Sequence, residues 1–344
     1  MKTSLATALF GNRASRLGSV AVAAILGAAL SFGAAAQDTD YVLNTASTGG
    51  TYHPVGTAIA TLSKVKLLPK EKFSLTAVNS AGSGANVQAM AAGNAQFAIL
   101  QGLYGSYAAT GTGSVSEPQE NMRSISMLWQ NVEQFLLASD LVDTGTVSDL
   151  AAAKGRTVAM GKENSGTLGS NEVLLAGLGL SLDDFEMLHA GYGPSADALA
   201  NGQASAAGIP SGPPTSAITK LMSTSAGKVT LLSVTAEQAE AMDDGRKLWT
   251  PYTIAAGTYP GQDEDIETIA QPNFLAVNAD VDENHVYLLT KTIYENLPFL
   301  TAIHPATRAM STDAALAGLP VPLHPGAARY YEEIGIEIPD HLKP

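Results

Sequence analysis

Ser47-Thr48-Gly49-Gly50-Thr51-Tyr52-His53-Pro54 is the stretch whose reading decides the fold. A short apolar run, Tyr41-Val42-Leu43, precedes it and reads as a strand, and a helical pattern follows from Pro54 to about Ser63. The two glycines let the backbone turn tightly and approach a ligand closely. Hydroxyls at Ser47, Thr48 and Thr51 can cap the helix or bond a ligand. Pro54 suits a first helical turn, where no backbone donor is needed. The free N–H groups of such a helix start attract anions, aided by the helix dipole. A capped strand-to-helix turn with no ligand fits the same residues, so the weight falls on whether the device recurs.

It does recur. Phe73 to Val78 alternates like a strand and runs into Asn79-Ser80-Ala81-Gly82-Ser83-Gly84 and an Ala- and Met-rich helix ending near Gly93. Phe97 to Leu100 is a third strand, closed by Gln101-Gly102 before another helical pattern. Further on, strand Thr157 to Gly161 leads through Lys162-Glu163-Asn164-Ser165-Gly166-Thr167 into a helix, and Glu186 to His189 leads through Ala190-Gly191-Tyr192-Gly193-Pro194 into another. Gly50-Thr51 and Gly166-Thr167 match at one constant shift, and Gly82, Gly84, Met90 and Gly93 match Gly191, Gly193, Leu199 and Gly202 at a second. Self-matching by any Gly- and Ala-rich α/β chain is the bland account. The functional one is two lobes of similar plan aiming small-residue loops at a shared cleft, at the strand ends where open α/β sheets bind ligands.

Outward from this pattern the chain divides as follows. Residues 1–36 carry a basic leader (Lys2, Arg13, Arg16), an apolar run from Val20 to Phe32 and Ala34-Ala35-Ala36, the pattern of a cleaved signal peptide. Residues 37–134 are expected to form the first part of lobe 1, 135–247 lobe 2, and 248–344 the return to lobe 1 with the last helices. Lys64, Lys66, Lys70 and Lys72, spread around Pro69, read as a solvated connection, and Pro251 to Gln271 reads as irregular apart from its acidic run. Asp282 is expected to cap a helix from His285 to Asn296. Two or more crossings between the lobes would make a hinge.

Composition narrows the function. Without the three basic leader residues the chain has 16 basic against 32 acidic residues, a net charge of −16. Phosphate contacts need Lys and Arg, so nucleic acid is excluded as a partner. There is no Cys, hence no disulfide, no thiol nucleophile and no lipidated cysteine. The expectation is a freely diffusing, monomeric periplasmic protein. The run Asp263-Glu264-Asp265 lacks the ligand spacing of an EF-hand, so no metal is expected. No zinc-protease helix, G-x-S-x-G elbow, P-loop or dinucleotide fingerprint occurs, and no cofactor or catalytic residue is expected. His53 is the one histidine inside a glycine loop.

The segments STGGTYHP, GTYPGQDEDI and GLPVPLHPGAARYYEE together resemble the TAXI family of solute receptors of tripartite ATP-independent periplasmic (TRAP) transporters. The resemblance spans residues 40–335. It implies a class II periplasmic binding-protein fold: two α/β lobes joined by a hinge, with the ligand cleft between them. It also implies TRAP membrane subunits as partner and a small organic acid or amino acid as ligand. Carried over, the ligand loops are Ser47, Thr48, Gly50, Thr51 and Tyr52, then Ser80, Gln101, Ser165, Gly166 and Thr167. His53, Lys162 and Gly212 stand as secondary candidates. Where relatives have Gln, Ser or Asn, and Asp, this chain has Gln101-Gly102-Leu103. If that Asp holds an amino group, its loss favours a dicarboxylate or 2-oxo acid over glutamate; if it only caps a helix, nothing follows. A periplasmic sensor would share this cleft, and a secreted enzyme would need a reactive constellation that the sequence does not show.

Overall fold

The computed structural model describes residues 38–225 and 227–344. The signal-peptide pattern at 1–36 lies outside them. Among the described residues the order is β1 (Thr39–Asn44), α1 (Tyr52–Leu62), α2 (Leu68–Glu71), β2 (Phe73–Val78), α3 (Ser83–Ala91), β3 (Phe97–Gln101), α4 (Gly102–Thr110), β4 (Met122–Val132) and β5 (Phe135–Ala138). Next come β6 (Thr157–Ala159), α5 (Gly166–Gly177), β7 (Glu186–Met187), α6 (Tyr192–Ala200), β8 (Ala206–Gly208), α7 (Ser216–Ser225), β9 (Val229–Leu231) and α8 (Ala236–Asp243). The chain closes with β10 (Thr250–Ile254), β11 (Ile266–Asn278), α9 (Glu283–Glu295), α10 (Leu297–Ile303) and α11 (Pro325–Glu333).

Two sheets form. The first runs β10-β11-β3-β1-β2, with β4 also on β11, and the second runs β7-β6-β8-β5-β9. Their centres share one plan. In the first, β2, β1 and β3 are parallel and β11 returns antiparallel to β3. In the second, β7, β6 and β8 are parallel and β5 returns antiparallel to β8. The internal repeat seen in the sequence therefore corresponds to two copies of a strand–helix–strand–helix–strand unit. Gly93 (φ +73°) and Gly202 (φ +70°), matched at one shift, both follow a helix in the left-handed conformation that glycine favours. The apolar residues of β3 are buried on both faces, as parallel strands covered by helices require. Helix ends follow the expected chemistry: Asp282 accepts from the His285 N–H (3.0 Å) to start α9, and Thr235 and Gln238 form a capping box at α8.

The segment 251–271, expected to be irregular, is the main correction. It contains β10 and the first part of the thirteen-residue β11. Pro272 breaks the strand signal in the sequence, yet it sits where β11 changes neighbours: β10 pairs up to Ala270, and β3 begins at Asn273. No ladder donor is needed on that side at the switch, so the missing N–H costs nothing there. The lysine-rich segment is solvated as expected, with Lys64, Lys66, Lys70 and Lys72 exposed, and it is helical: Ser63–Leu67 and Leu68–Glu71 continue α1.

The lobes meet along β4, β5 and β11. One core lies between the first sheet and α1, α3, α9 and α11. Two smaller cores cover the second sheet, and they take in Trp249, Ile254, Ile269 and Ala270 from the β10–β11 region. The chain passes between sheets at 133–134, and the β11 strand spans both cores.

Candidate functional site

The parallel strands of both sheets send their following helices toward one another, so helix N-termini from both lobes surround a single cavity. From the first lobe come Gly50, Thr51 and Tyr52 at the start of α1, Gly82 and Ser83 at α3, and Gln101 before α4. From the second come Gly166 and Thr167 at α5, Tyr192 at α6, and Ser211 before α7. Ser47 and Asn131 complete the polar lining, with Ala46, Ala81 and Pro210 the apolar part. No Asp, Glu, Lys, Arg or His lines it. What the lining offers is helix N-termini, where N–H groups and dipoles add to a positive end, together with hydroxyl and amide groups.

Burial pushes the Tyr52 phenol well up, and does the same for Tyr192. Both stay protonated at physiological pH and can donate. The Tyr52 hydroxyl donates to Asn273 Oδ1. The Tyr192 hydroxyl donates to the Pro210 carbonyl (2.5 Å) and lies 2.8 Å from Thr167 Oγ1. Tyr52 in turn packs edge-on against Trp129, their ring centres 5.9 Å apart.

The lobes are in direct contact. The Thr51 N–H donates to Ser211 Oγ (3.2 Å) and its hydroxyl donates to the Gly212 carbonyl (2.9 Å). The Ala85 N–H donates to the Asn164 carbonyl at 2.8 Å, and Gln101 Nε2 donates to the Gly166 carbonyl (3.0 Å) and Ser170 Oγ (2.6 Å). Small residues permit this approach. A Cβ at Gly84 would lie 2.6 Å from the Asn164 carbonyl oxygen, and one at Gly50 2.8 Å from the Tyr192 ring. This is a closed arrangement with about 30 Å³ of free space, room for about two waters.

Of the residues singled out in the sequence, Ser47, Gly50, Thr51, Tyr52, Gln101, Gly166 and Thr167 are brought together on this cavity. Ser165 caps α5, accepting from the Leu168 N–H (3.0 Å), and Ser80 holds its own turn by accepting from the Gly82 N–H and donating to the Thr45 carbonyl. Thr48 and Lys162 are exposed. The Lys162 stem reaches the edge of the site, since a Cβ at Gly191 would meet Ser47 Oγ and then Lys162 Cε at 3.4 Å. His53 sets its Nδ1 3.3 Å from Thr45 Oγ1, and Gly212 packs against Trp129 and Ala306. Sequence reasoning passed over Ser83, Asn131, Tyr192 and Ser211. Tyr192 and Ser211 lay inside loops recognised as glycine- or proline-rich, and the internal repeat alone could have marked Tyr192, which follows the glycine matched to Gly82. Leu103, where the TAXI resemblance led to an expected Asp, does not line the cavity; its side chain joins the second lobe's core with Phe135 and Trp249, and its N–H donates to Gln271 Oε1 (2.8 Å).

A family model described as NMT1-like matches residues 43–335. The chain belongs to the NMT1-like family. Solved structures similar to this NMT1-like protein include MatC from Rhodopseudomonas palustris with bound malate, at 16% identity, TM-score 0.53, covering 86% of this chain and 96% of that one. A protein of Bordetella bronchiseptica RB50 matches at 16% identity and TM-score 0.52, covering 89% and 85%. The periplasmic binding protein BugD matches at 16% identity and TM-score 0.50, covering 86% and 93%. At these identities the likeness is one of fold, and the fold is the two-lobed α/β architecture of periplasmic binding proteins.

Proposed function

We propose that this NMT1-like protein is a periplasmic solute-binding receptor of a transport system, of the TAXI type, that captures a small organic anion and hands it to TRAP membrane subunits. The observation that carries this reading is a cavity surrounded by helix N-termini from both lobes, with no charged side chain in its lining. Such a site holds a carboxylate through N–H groups and hydroxyls, whose bonds to an ionised acceptor are the strong kind. A lining with no carboxylate offers an ammonium no negative charge to pair with, only neutral hydroxyl and amide acceptors. The favoured ligand is therefore a dicarboxylate or 2-oxo acid, with a glutamate-like amino acid next. The malate held by MatC, which shares the fold, is in keeping with that class. Closure depends on the ligand binding the closed form better than the open one.

The test is a thermal-shift screen of the mature protein against succinate, malate, 2-oxoglutarate and glutamate. Ligand at one hundred times its dissociation constant adds about 2.7 kcal/mol to stability. A clear rise in melting temperature with at least one non-amino acid is expected. No shift with any of them would overturn the anion reading. Recovery of a chemically altered ligand would replace the receptor with an enzyme.

A further inference from the structure

Glu133 stands at the crossing between the lobes, between the end of β4 and the start of β5, and is 1% exposed. Its Oε1 accepts from Trp249 Nε1 (2.8 Å) and from Gln271 Nε2 (3.3 Å), while its Oε2 has no partner. It belongs to none of the ion pairs among the described residues. The titratable groups that feel its charge are the phenols of Tyr52 and Tyr192, which burial, first of all, keeps protonated. Its carboxyl bonds Trp249 from the region before β10 and Gln271 from β11, both uncharged, and Gln271 in turn bonds Ser170 of α5.

This carboxyl is wired to the cavity. Gln271 Nε2 also donates to Ser170 Oγ (2.9 Å), and Ser170 Oγ accepts from Gln101 Nε2 (2.6 Å). Gln101 lines the cavity and spans the lobes to the Gly166 carbonyl. Parting the lobes would break the Gln101 bonds to Gly166 and Ser170, leave Gln271 held on this side by the Leu103 N–H alone, and admit water toward the crossing. When they close, a carboxyl with one bare oxygen is sealed into a dry crossing with no cation nearby.

We infer that Glu133 is the receptor's proton site, and that closing on an anion and taking one proton from solvent onto Glu133 are a single event. The proton goes to Oε2, the oxygen without a donor, leaving Oε1 to keep its two N–H bonds. A buried ionised carboxylate without a charged partner is far costlier than its neutral form. Burial accordingly pushes the Glu133 carboxyl up to about 7, against the pull of its Trp249 and Gln271 donors. An anion in the cavity, sensed across the same few residues, favours the protonated form further. The receptor then carries its anion with a compensating proton and releases both on opening.

This inference rests on the anion reading for its binding half. Calorimetric titration of the mature protein with 2-oxoglutarate, succinate and malate is run from pH 5.5 to 7.5, in phosphate and in Tris or imidazole. The sign follows from linkage: the closed form binds a proton that the open form releases, so affinity falls as pH rises through the window below about 7. A loss of up to about tenfold per pH unit is expected, with close to one proton taken up near pH 6, as read from the buffer dependence of the heat. Glu133→Gln, which keeps the shape without the titration, is expected to bind with no pH slope and no proton uptake. If a probe binds with the same slope in Glu133→Gln, or wild type binds with no uptake, the proton site is wrong while the anion reading stands. A second measurement needs no ligand: carbon NMR of the Glu133 carboxyl, left unsubstituted, in a double-cysteine variant locked closed by an engineered interlobe disulfide, since the natural chain has no cysteine. It is expected to titrate near pH 7, and a midpoint at the ordinary value near 4.5 would overturn the proposal. If no probe binds yet this carboxyl titrates near 7, the anion reading fails and the proton site is retained.

Discussion

Thr51 and Ser211, 160 residues apart in the chain, are joined twice: the Thr51 N–H donates to Ser211 Oγ at 3.2 Å, and the two hydroxyls lie 2.9 Å apart. One stands at the start of α1 in the first lobe and the other beside α7 in the second. Both are almost fully buried and both line the cavity. The same contact that closes the protein therefore also shapes the space it closes around.

Ser211→Ala should weaken closure more than folding. It leaves the buried Thr51 N–H without its partner, a cost of about 1–3 kcal/mol that falls only on the closed form. Water can satisfy that group when the lobes are apart. Affinity for whichever acid the thermal-shift screen identifies should drop by about five- to a hundredfold, while the ligand-free urea midpoint moves little. Calorimetry and urea unfolding separate the two. An unchanged affinity would show that the Thr51–Ser211 contact does not govern closure.

Gly84→Ala tests closure at a distance from the ligand. Gly84 does not line the cavity, and the added Cβ would press to 2.6 Å of the Asn164 carbonyl oxygen across the lobe interface. Alanine is favoured over glycine inside a helix by about 1 kcal/mol, so α3 itself should not be weakened. The expected result is a folded protein of equal or higher stability that binds at least about tenfold more weakly. Small-angle scattering should show a larger radius of gyration in the presence of ligand than for wild type. Wild-type affinity in this variant would mean that the closed arrangement is not the binding one.

What the sequence revealed follows from range. Each glycine- and hydroxyl-rich turn is a local signal, so Ser47 to Tyr52, Gly82 and Gly166-Thr167 could be read one by one, and the repeat tied them together. Which turns would share a wall depends on sheet topology, and that is why Tyr192 and Ser211 went unmarked although their loops were noticed. Ser80 is a candidate through the family resemblance alone, and Ser83 stands in the same short loop. Only the backbone path shows that Ser80 folds back on Thr45 and Gly82 while Ser83 faces the cavity. Phe274 to Val277 reads as a strand in the sequence, but the part of β11 before Pro272 does not, because the tolerance of that proline depends on a change of neighbour that no local pattern encodes. Glu133 carried no sequence signal at all: a lone Glu before a strand reads as solvated until its burial is seen.

Asp149 should anchor the second lobe in a pH-dependent way. Its carboxylate is buried, which by itself raises its pKa, but the Thr144 hydroxyl and the N–H groups of Asp143, Gly145 and Thr144 bond it and hold the group below the ordinary range. A depressed folded pKa gives stability that is present above the unfolded value, about 3.9, and is lost as pH falls through the folded value. Asp149→Asn should cost about 2 kcal/mol at pH 7, because an amide cannot replace both accepting oxygens. The gap between variant and wild type should narrow below pH 4 in urea unfolding. A gap that stays constant with pH would assign the loss to packing and not to the charge.

The last prediction concerns the amine. An amino-acid ligand brings an ammonium into a cavity where helix N-termini already present their positive ends, and no carboxylate lines it to compensate. A buried charge without a partner is strongly disfavoured. The position where the TAXI resemblance led to an expected Asp does not supply the explanation, since Leu103 faces the second lobe's core and does not line the cavity. Discrimination must therefore come from the lining itself. 2-Oxoglutarate is expected to bind at least about tenfold tighter than glutamate, equal to about 1.4 kcal/mol. Leu103→Asp should not rescue glutamate; it should instead destabilise the protein by about 3 kcal/mol by burying a charge among Phe135 and Trp249. Calorimetry with both acids on wild type, and a melting curve for the variant, decide the matter. Tighter glutamate binding in wild type would mean that carbonyl oxygens or the hydroxyls of Ser47, Thr51 and Thr167 solvate the ammonium well enough to make the absent carboxylate irrelevant.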